Sequence, residues 1–241
     1  MSALTISYSA LRRAGAVVLE AGNIELPAGR GIGVIGLNGA GKTTFLMAAA
    51  GVLRGADLTL NGVPAFDGAV AYMPQNSPLP AWLSVRDVFA LYGTSLPAAA
   101  AAYPGLRLDE IDGRKVGRLT PGQKQALAAA VTLMSAKDGM RPARWPADVF
   151  VLDEPFAGLD FHRQRALRTA LAAAAADRTV IVSAQSITDL LEFCDRFIIL
   201  RSGRIVFASR LDELGLPAAG PAEFEKAVLD LILDSRLETS G

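Results

Sequence analysis

One cysteine, Cys194, and one histidine, His162, are all that this 241-residue chain has of either residue. A lone thiol excludes an internal disulfide and any multi-cysteine metal site. Cys194 follows Phe193 in an apolar helical pattern, where a packed thiol is expected. His162, two residues after Asp160 at the expected start of a helix, reads as a surface or interface residue. An excess of either charge is also missing, since Lys+Arg and Asp+Glu both number 24. The chain therefore lacks the basic footprint of a protein that grips nucleic acid by its phosphates, and no nucleic-acid partner is expected. No apolar run approaches the ~20 residues of a membrane span, and Met1-Ser2-Ala3-Leu4-Thr5 lacks the charged-then-apolar pattern of a signal peptide, so a cytoplasmic chain is expected. What abounds is hydrophobic residues, 51% of the total, enough to fill one large α/β interior and to argue against disorder.

Directly after the apolar run Gly31 to Ile35 stands Gly36-Leu37-Asn38-Gly39-Ala40-Gly41-Lys42-Thr43-Thr44. Glycines at 36, 39 and 41 let the backbone turn tightly and aim successive N–H groups at one polyphosphate. Lys42 adds a positive charge for β- and γ-phosphates, and the Thr43 hydroxyl can reach Mg²⁺ at the start of the following helix. An ordinary Gly-rich turn needs no Lys-Thr pair after its last glycine. A nucleoside triphosphate is the expected ligand. A second chemical feature follows the apolar run Val149 to Leu152, which delivers Asp153 and Glu154 to the end of a buried strand, where open α/β sheets bind ligands. Asp153 suits Mg²⁺, which prefers oxygen donors, and Glu154 can orient or deprotonate an attacking water.

Runs at Leu4 to Tyr8 and Ala16 to Leu19 predict an antiparallel edge layer ahead of the turn Pro27-Ala28-Gly29. Residues 57 to 73 predict further strands around the turn Asn61-Gly62. Pro78 and Pro80 then break the chain, Ser84 caps a helix through Val85, Val88, Phe89 and Leu91, and Ala98 to Ala102 is low in complexity, which together suggest a small helical insert. Thr120 caps a second helix from Pro121, carrying Leu127, Val131 and Met134. Asp138 to Pro146 has the composition of a surface loop. Val149 to Leu152 and Val180 to Val182, with a helix from about Phe161 to Ala176 between them, alternate as a parallel sheet requires. Ile198 to Phe207 reads as a closing hairpin and Phe224 to Leu233 as an amphipathic helix. One domain over 1–241 is expected, with a core in 1–74 and 146–210, a helical subdomain in 75–135 and a helical extension in 211–241.

In their order, these motifs resemble those of the ATP-binding cassette ATPases, the nucleotide-binding subunits of membrane transporters, over nearly the whole chain. Gly36 to Thr44 matches that family's Walker A, Gln75 its Q-loop glutamine, and Leu119-Thr120-Pro121-Gly122-Gln123 its signature. Val149 to Glu154 matches Walker B, and Ala157-Gly158-Leu159-Asp160 the D-loop. The resemblance implies a P-loop NTPase fold of RecA-like type: a mostly parallel α/β core, an N-terminal antiparallel β-subdomain and a small helical subdomain. It implies ATP and Mg²⁺ as cofactors, with Thr43, Gln75 and Asp153 at the metal. It also implies two cassettes, identical or different, paired head to tail so that the signature of one closes on the ATP of the other, and a separate transmembrane permease that keeps the chain at the inner face of the membrane. Tyr8 stands like the family's adenine-stacking aromatic, and it reads equally as edge packing. Trp82, Leu83 and Val85 read either as permease-docking residues or as subdomain core.

Two positions depart from the pattern. Thr120-Pro121-Gly122 replaces the usual Ser-Gly-Gly, which keeps a hydroxyl but removes one N–H that would bond the γ-phosphate. Gln185 stands where the family carries its switch histidine, and an amide can hydrogen-bond but cannot take up a proton. Slow hydrolysis is the expectation, with Glu154 and Gln185 as the catalytic pair. Two other readings stay open: the weak half of a heterodimeric pair, and a soluble cassette ATPase outside transport.

Overall fold

A computed structural model of the chain describes residues 3–13, 15–27, 30–53, 56–60, 63–64, 70–135, 149–214 and 221–233. The expected turn at Asn61-Gly62 and the expected loop at Asp138 to Pro146 lie outside these residues.

The strands are β1 (Ala3–Tyr8), β2 (Leu11–Arg13), β3 (Ala16–Leu19), β4 (Gly22–Pro27), β5 (Gly31–Gly36), β6 (Ala56–Leu60), β7 (Val63–Pro64), β8 (Val70–Met73), β9 (Val149–Leu152), β10 (Thr179–Ser183), β11 (Arg196–Arg201) and β12 (Arg204–Arg210). The helices are α1 (Lys42–Ala49), α2 (Val85–Leu91), α3 (Leu96–Ala102), α4 (Pro121–Met134), α5 (Phe161–Ala175) and α6 (Pro221–Leu233). Each of three helices starts where its sequence supplies a cap. Ser84 and Asp87 form a reciprocal capping box at α2, Thr120 and Gln123 another at α4 with Pro121 in the first turn, and the Asp160 carboxylate accepts from the Arg163 N–H at α5.

The central sheet runs β12-β11-β5-β10-β9-β8, parallel throughout except for the β11–β12 hairpin. β9 and β10 are buried along their full length, as β-branched strands covered on both faces must be. Their side chains alternate between two cores. Val149, Val151 and Ile181 pack with Phe45 and Leu46 of α1 and with Leu4, Ile6 and Leu19 from the N-terminal layers. Phe150, Leu152, Val180 and Val182 face the other way, toward Leu127 and Val131 of α4, Leu167 and Leu171 of α5, and the helical insert through Phe89 and Leu106.

The N-terminal layer is an antiparallel sheet of order β4-β1-β6-β7. Here the structure differs from the sequence expectation of one edge layer, because Ala16–Leu19 does not join it and pairs instead with Leu11–Arg13 in a separate ribbon. The alanine-rich stretch is the body of α3. Between 85 and 118 lie α2, α3 and three short 3-10 turns. Leu83 and Val85 are interior to this insert while Trp82 is 73% exposed, so of the three only Trp82 presents an apolar surface. Cys194 is buried as expected, and its burial raises the thiol pKa well above the ordinary range.

Candidate nucleotide-binding site

Four parallel strands end on one edge of the sheet, where β5 leads through Gly36 into the glycine-rich loop and the other three hand over polar residues: Asp153 just past β9, Gln185 just past β10 and Gln75 just past β8. The loop after β5 coils into α1 through Gly41, whose φ of 101° lies in the left-handed region that side chains disfavour. Its outer side is buttressed by elements far away in sequence. The Gly203 N–H donates to the Ala40 carbonyl at 3.0 Å, and the Glu20 N–H donates to the Gly203 carbonyl at 2.9 Å. Lys42, 7% exposed, donates to the carbonyls of Gly36 at 2.7 Å and Leu37 at 3.3 Å, so the ammonium is held over the loop it belongs to.

Asp153 is 1% exposed, and each of its oxygens accepts one hydroxyl proton at 2.7 Å, from Thr43 and from Ser183. Asp153 also donates its own N–H to the Met73 carbonyl, which ties the loop after β9 to β8. Thr43 spends its proton on Asp153 and keeps its lone pairs, so a carboxylate and a hydroxyl oxygen lie side by side next to Lys42. That oxygen pair fits a hard divalent cation.

Glu154 is the unusual residue of the site. It is non-glycine with φ of 47°, a conformation costing about 1–2 kcal/mol, and it is 9% exposed. Its N–H donates to Ser183 Oγ at 2.8 Å, its carbonyl accepts from Gln125 Nε2 at 3.0 Å, and its carboxylate Oε2 accepts from Gln185 Nε2 at 3.0 Å. Val18, Asn38, Gly39, Gly41, Lys42, Thr43, Thr44, Gln75, Glu154 and Gln185 line one cleft of about 400 Å³. Ala40 is buried beneath it.

The other expected residues lie elsewhere. Thr120 and Pro121 are exposed at the N-terminus of α4 and Leu119 is buried; none of 119–123 lines that cleft. Pro121 instead borders a neighbouring cavity of about 480 Å³ with Lys124, Gln125 and Gly158, which shares Gln75 and Glu154 with the cleft. Asp160 caps α5 and also binds the Arg163 guanidinium; the Arg163 N–H first and its side chain second hold this carboxyl below the usual carboxylate range. His162 is exposed, edge-on to Phe161.

Tyr8 requires a correction. It is 6% exposed, its ring lies edge-on to Phe45 at 6.1 Å, and burial pushes its phenol up to about 12. Both ring faces are inside the N-terminal core, so of the two readings packing stands and adenine stacking does not.

Sequence reasoning missed Ser183, Gln125 and Arg163. Ser183 had a detectable signal, since it is the one hydroxyl at the carboxyl end of the apolar run Val180 to Val182. The other two had little, because apart from Asp160, three residues before Arg163, their partners are 29 to 57 residues away.

Residues 19–157 match the sequence profile of the family described as ABC transporter, more than half of the chain. The chain belongs to that family. With relatives that are ATP-binding proteins of ABC transporters, it is the ATP-binding subunit of such a transporter. Among similar ABC proteins, the hemin import ATP-binding protein of Pseudomonas aeruginosa is 29% identical over 94% of this chain and 94% of its own length. An uncharacterized ABC transporter ATP-binding protein of Methanocaldococcus jannaschii is 27% identical over 82% of this chain and 73% of its own. The solved structure of an ATP-binding subunit of an ABC transporter superposes with a TM-score of 0.76 at 24% identity, covering 94% of this chain and 99% of that one, which bears on the ABC fold alone. Among the described residues no helix is long and apolar enough to cross a membrane.

Proposed function

We propose that this subunit binds Mg·ATP in the cleft lined by Asn38, Gly39 and 41–44, with Ala40 buried in the same loop, hydrolyses it with Glu154 as the general base, and works as one of two cassettes on a separate transmembrane permease at the inner face of the membrane. The observation that carries this reading is the convergence of Lys42, Thr43, Gln75, Glu154 and Gln185 on one cavity. Thr43, Asp153 and Gln75 are the oxygen donors for Mg²⁺, which when bound neutralises charge between the β- and γ-phosphates. Lys42 and the N-terminus of α1 face the phosphates, and Glu154 orients water. In this reading 75–135 is the helical subdomain, 1–74 and 146–210 are the core, and 211–241 is the extension.

Pairing rests on the separation of Thr120 to Gln123 from the cleft of their own chain. The exposed N-terminus of α4, with the Thr120 hydroxyl and the Gly122 N–H, suits a γ-phosphate carried by a second cassette. Pro121 offers no N–H there and Gln185 no titratable nitrogen, so turnover is slow. These two positions also favour a second reading, in which the chain is the weak half of a heterodimeric pair.

Glu154→Gln tests the main reading. The variant is expected to bind ATP as tightly as the parent while turnover falls by about 10²-fold or more, the contribution of a positioned base. Unchanged turnover would refute it. Tight ATP binding without turnover in the parent, alone and with its permease, would favour the weak-half reading.

A further inference from the structure

We infer that Ser183 and Gln125 are positioning residues for hydrolysis: together they clamp the backbone of the base, Glu154, one from each side. The inference rests on Glu154 being that base. Glu154 holds a left-handed φ of 47° with no glycine freedom to make it easy. The peptide before it is fixed through its N–H, which meets Ser183 Oγ at 2.8 Å. The peptide after it is fixed through its carbonyl, which meets Gln125 Nε2 at 3.0 Å. Ser183 can do this because its own proton is committed elsewhere, to Asp153 Oδ1 at 2.7 Å, so its lone pairs point at the Glu154 N–H. The residue is 0% exposed, so the hydroxyl is shielded from bulk solvent.

The clamp has two different anchors. Ser183 is the last residue of β10, so it belongs to the rigid sheet. Gln125 sits in α4 three residues after Gly122, one helical turn from the end of the helix that the proposed pairing turns toward a second cassette. A shift of that helix is therefore felt directly at the backbone of Glu154, with no other residue between. Gln185 holds only the carboxylate tip of Glu154, so it sets the tip's direction, while the clamp sets where the side chain starts.

Ser183→Ala keeps the strand and deletes the acceptor. In the full chain it is expected to lower kcat for ATP about 10- to 100-fold, the range a misplacement of ~1 Å produces, with KM for ATP changed less than about twofold. Ser183→Thr, which keeps the hydroxyl, should recover kcat to within about threefold of the parent. Gln125→Leu, on a partly exposed face and no threat to folding, should lower kcat about 3- to 10-fold, again with little change in KM. Independently of turnover, amide exchange at Glu154 in the nucleotide-free chain should accelerate more than tenfold in Ser183→Ala and revert in Ser183→Thr. Parental kcat in Ser183→Ala, a threonine variant as slow as the alanine variant despite equal thermal stability, or unaltered exchange at Glu154 would each overturn the clamp. The base assignment fails separately: Glu154→Gln with undiminished turnover defeats both ideas, whereas an inactive Glu154→Gln beside a fully active Ser183→Ala defeats the clamp alone.

Discussion

Replacing Arg163 by methionine should cost this protein about 2–3 kcal/mol of stability. Arg163 is 9% exposed, and its guanidinium reaches three acceptors: the Asp160 carboxylate, Glu110 Oε2 at 2.6 Å, and the Leu106 carbonyl at 3.2 Å. Hydrogen bonds to a charged group are each worth about 1.5–3 kcal/mol, so the gross loss is several times any single bond. Most of it is recovered. The side chains of Glu110 and Asp160 are 37% and 45% exposed, and water re-solvates both carboxylates once the arginine is gone; pairs this wet contribute ~1 kcal/mol or less. What is not recovered is the Leu106 carbonyl, about 1–3 kcal/mol when left without a partner, and the tie between the helical insert and the start of α5. Methionine keeps the stem packed, so the cavity cost is small. Urea unfolding at pH 7 measures the loss directly, as a lower midpoint at constant slope. The pH dependence supplies a sign check. Asp160 has its carboxyl pKa depressed in the folded state, so its share of stability is present above the unfolded value, near pH 4, and is lost as pH falls through the folded one. The larger part of that depression comes from the Arg163 N–H, which methionine keeps, so only the guanidinium's part separates parent from variant, and the gap should be full at neutral pH and narrow modestly below about pH 4. A loss under ~0.5 kcal/mol, or a gap that widens in acid, would refute the reasoning.

Gly122→Ala puts a Cβ 2.5 Å from the Gly158 carbonyl, a backbone atom that cannot rotate away, so α4 must shift; stability should fall by about 1–3 kcal/mol and turnover more than tenfold, while ATP binding by calorimetry stays within threefold because Gly122 does not line the cleft. An unaltered melting temperature would show that α4 yields freely. Tyr8→Leu should leave ATP affinity within twofold, since neither face of the ring is open to a base. Because burial raises the Tyr8 phenol to about 12, its contribution is complete below pH 10 and lost between pH 10 and 12, and the variant should lose less stability than the parent over that interval in alkaline unfolding; a tenfold loss of ATP affinity would restore the stacking role.

The motifs legible in the sequence are those whose chemistry is local. Gly36 to Thr44 builds its nest from neighbours, Thr120-Pro121-Gly122-Gln123 carries its own capping box, and four apolar residues before Asp153 announce a buried strand. Tyr8 could not be decided that way, because whether a strand-end tyrosine faces solvent depends on Phe45, 37 positions later. The ribbon formed by β2 and β3 was invisible for a related reason: Ala16–Leu19 has strand composition, but which partner it takes is set by the loop geometry around Gly15. Arg163 and Gln125 carry no comparable local mark, because nothing nearby in sequence shows that Glu110 or the Glu154 carbonyl will lie against them.

The same hydroxyl that serves Glu154 also bears on how the sheet finds its register. β9 and β10 are covered on both faces, so alternation of polar and apolar residues, which pins the register of half-exposed strands, is absent from Val149–Leu152 and from Val180 to Val182. A slip of β10 by one residue would exchange Val180 and Val182 for Ile181, aliphatic for aliphatic. Ser183 breaks that degeneracy. With Val182 opposite Leu152, its hydroxyl meets both the Asp153 carboxylate and the Glu154 N–H. One step out of register, it would be turned to the opposite face, buried without a partner, at about 1–3 kcal/mol, and the Asp153 carboxylate would lose a donor as well. That hydroxyl thus favours the strand pairing that brings Asp153 and Glu154 to the sheet edge, the register in which both of its hydrogen bonds are made.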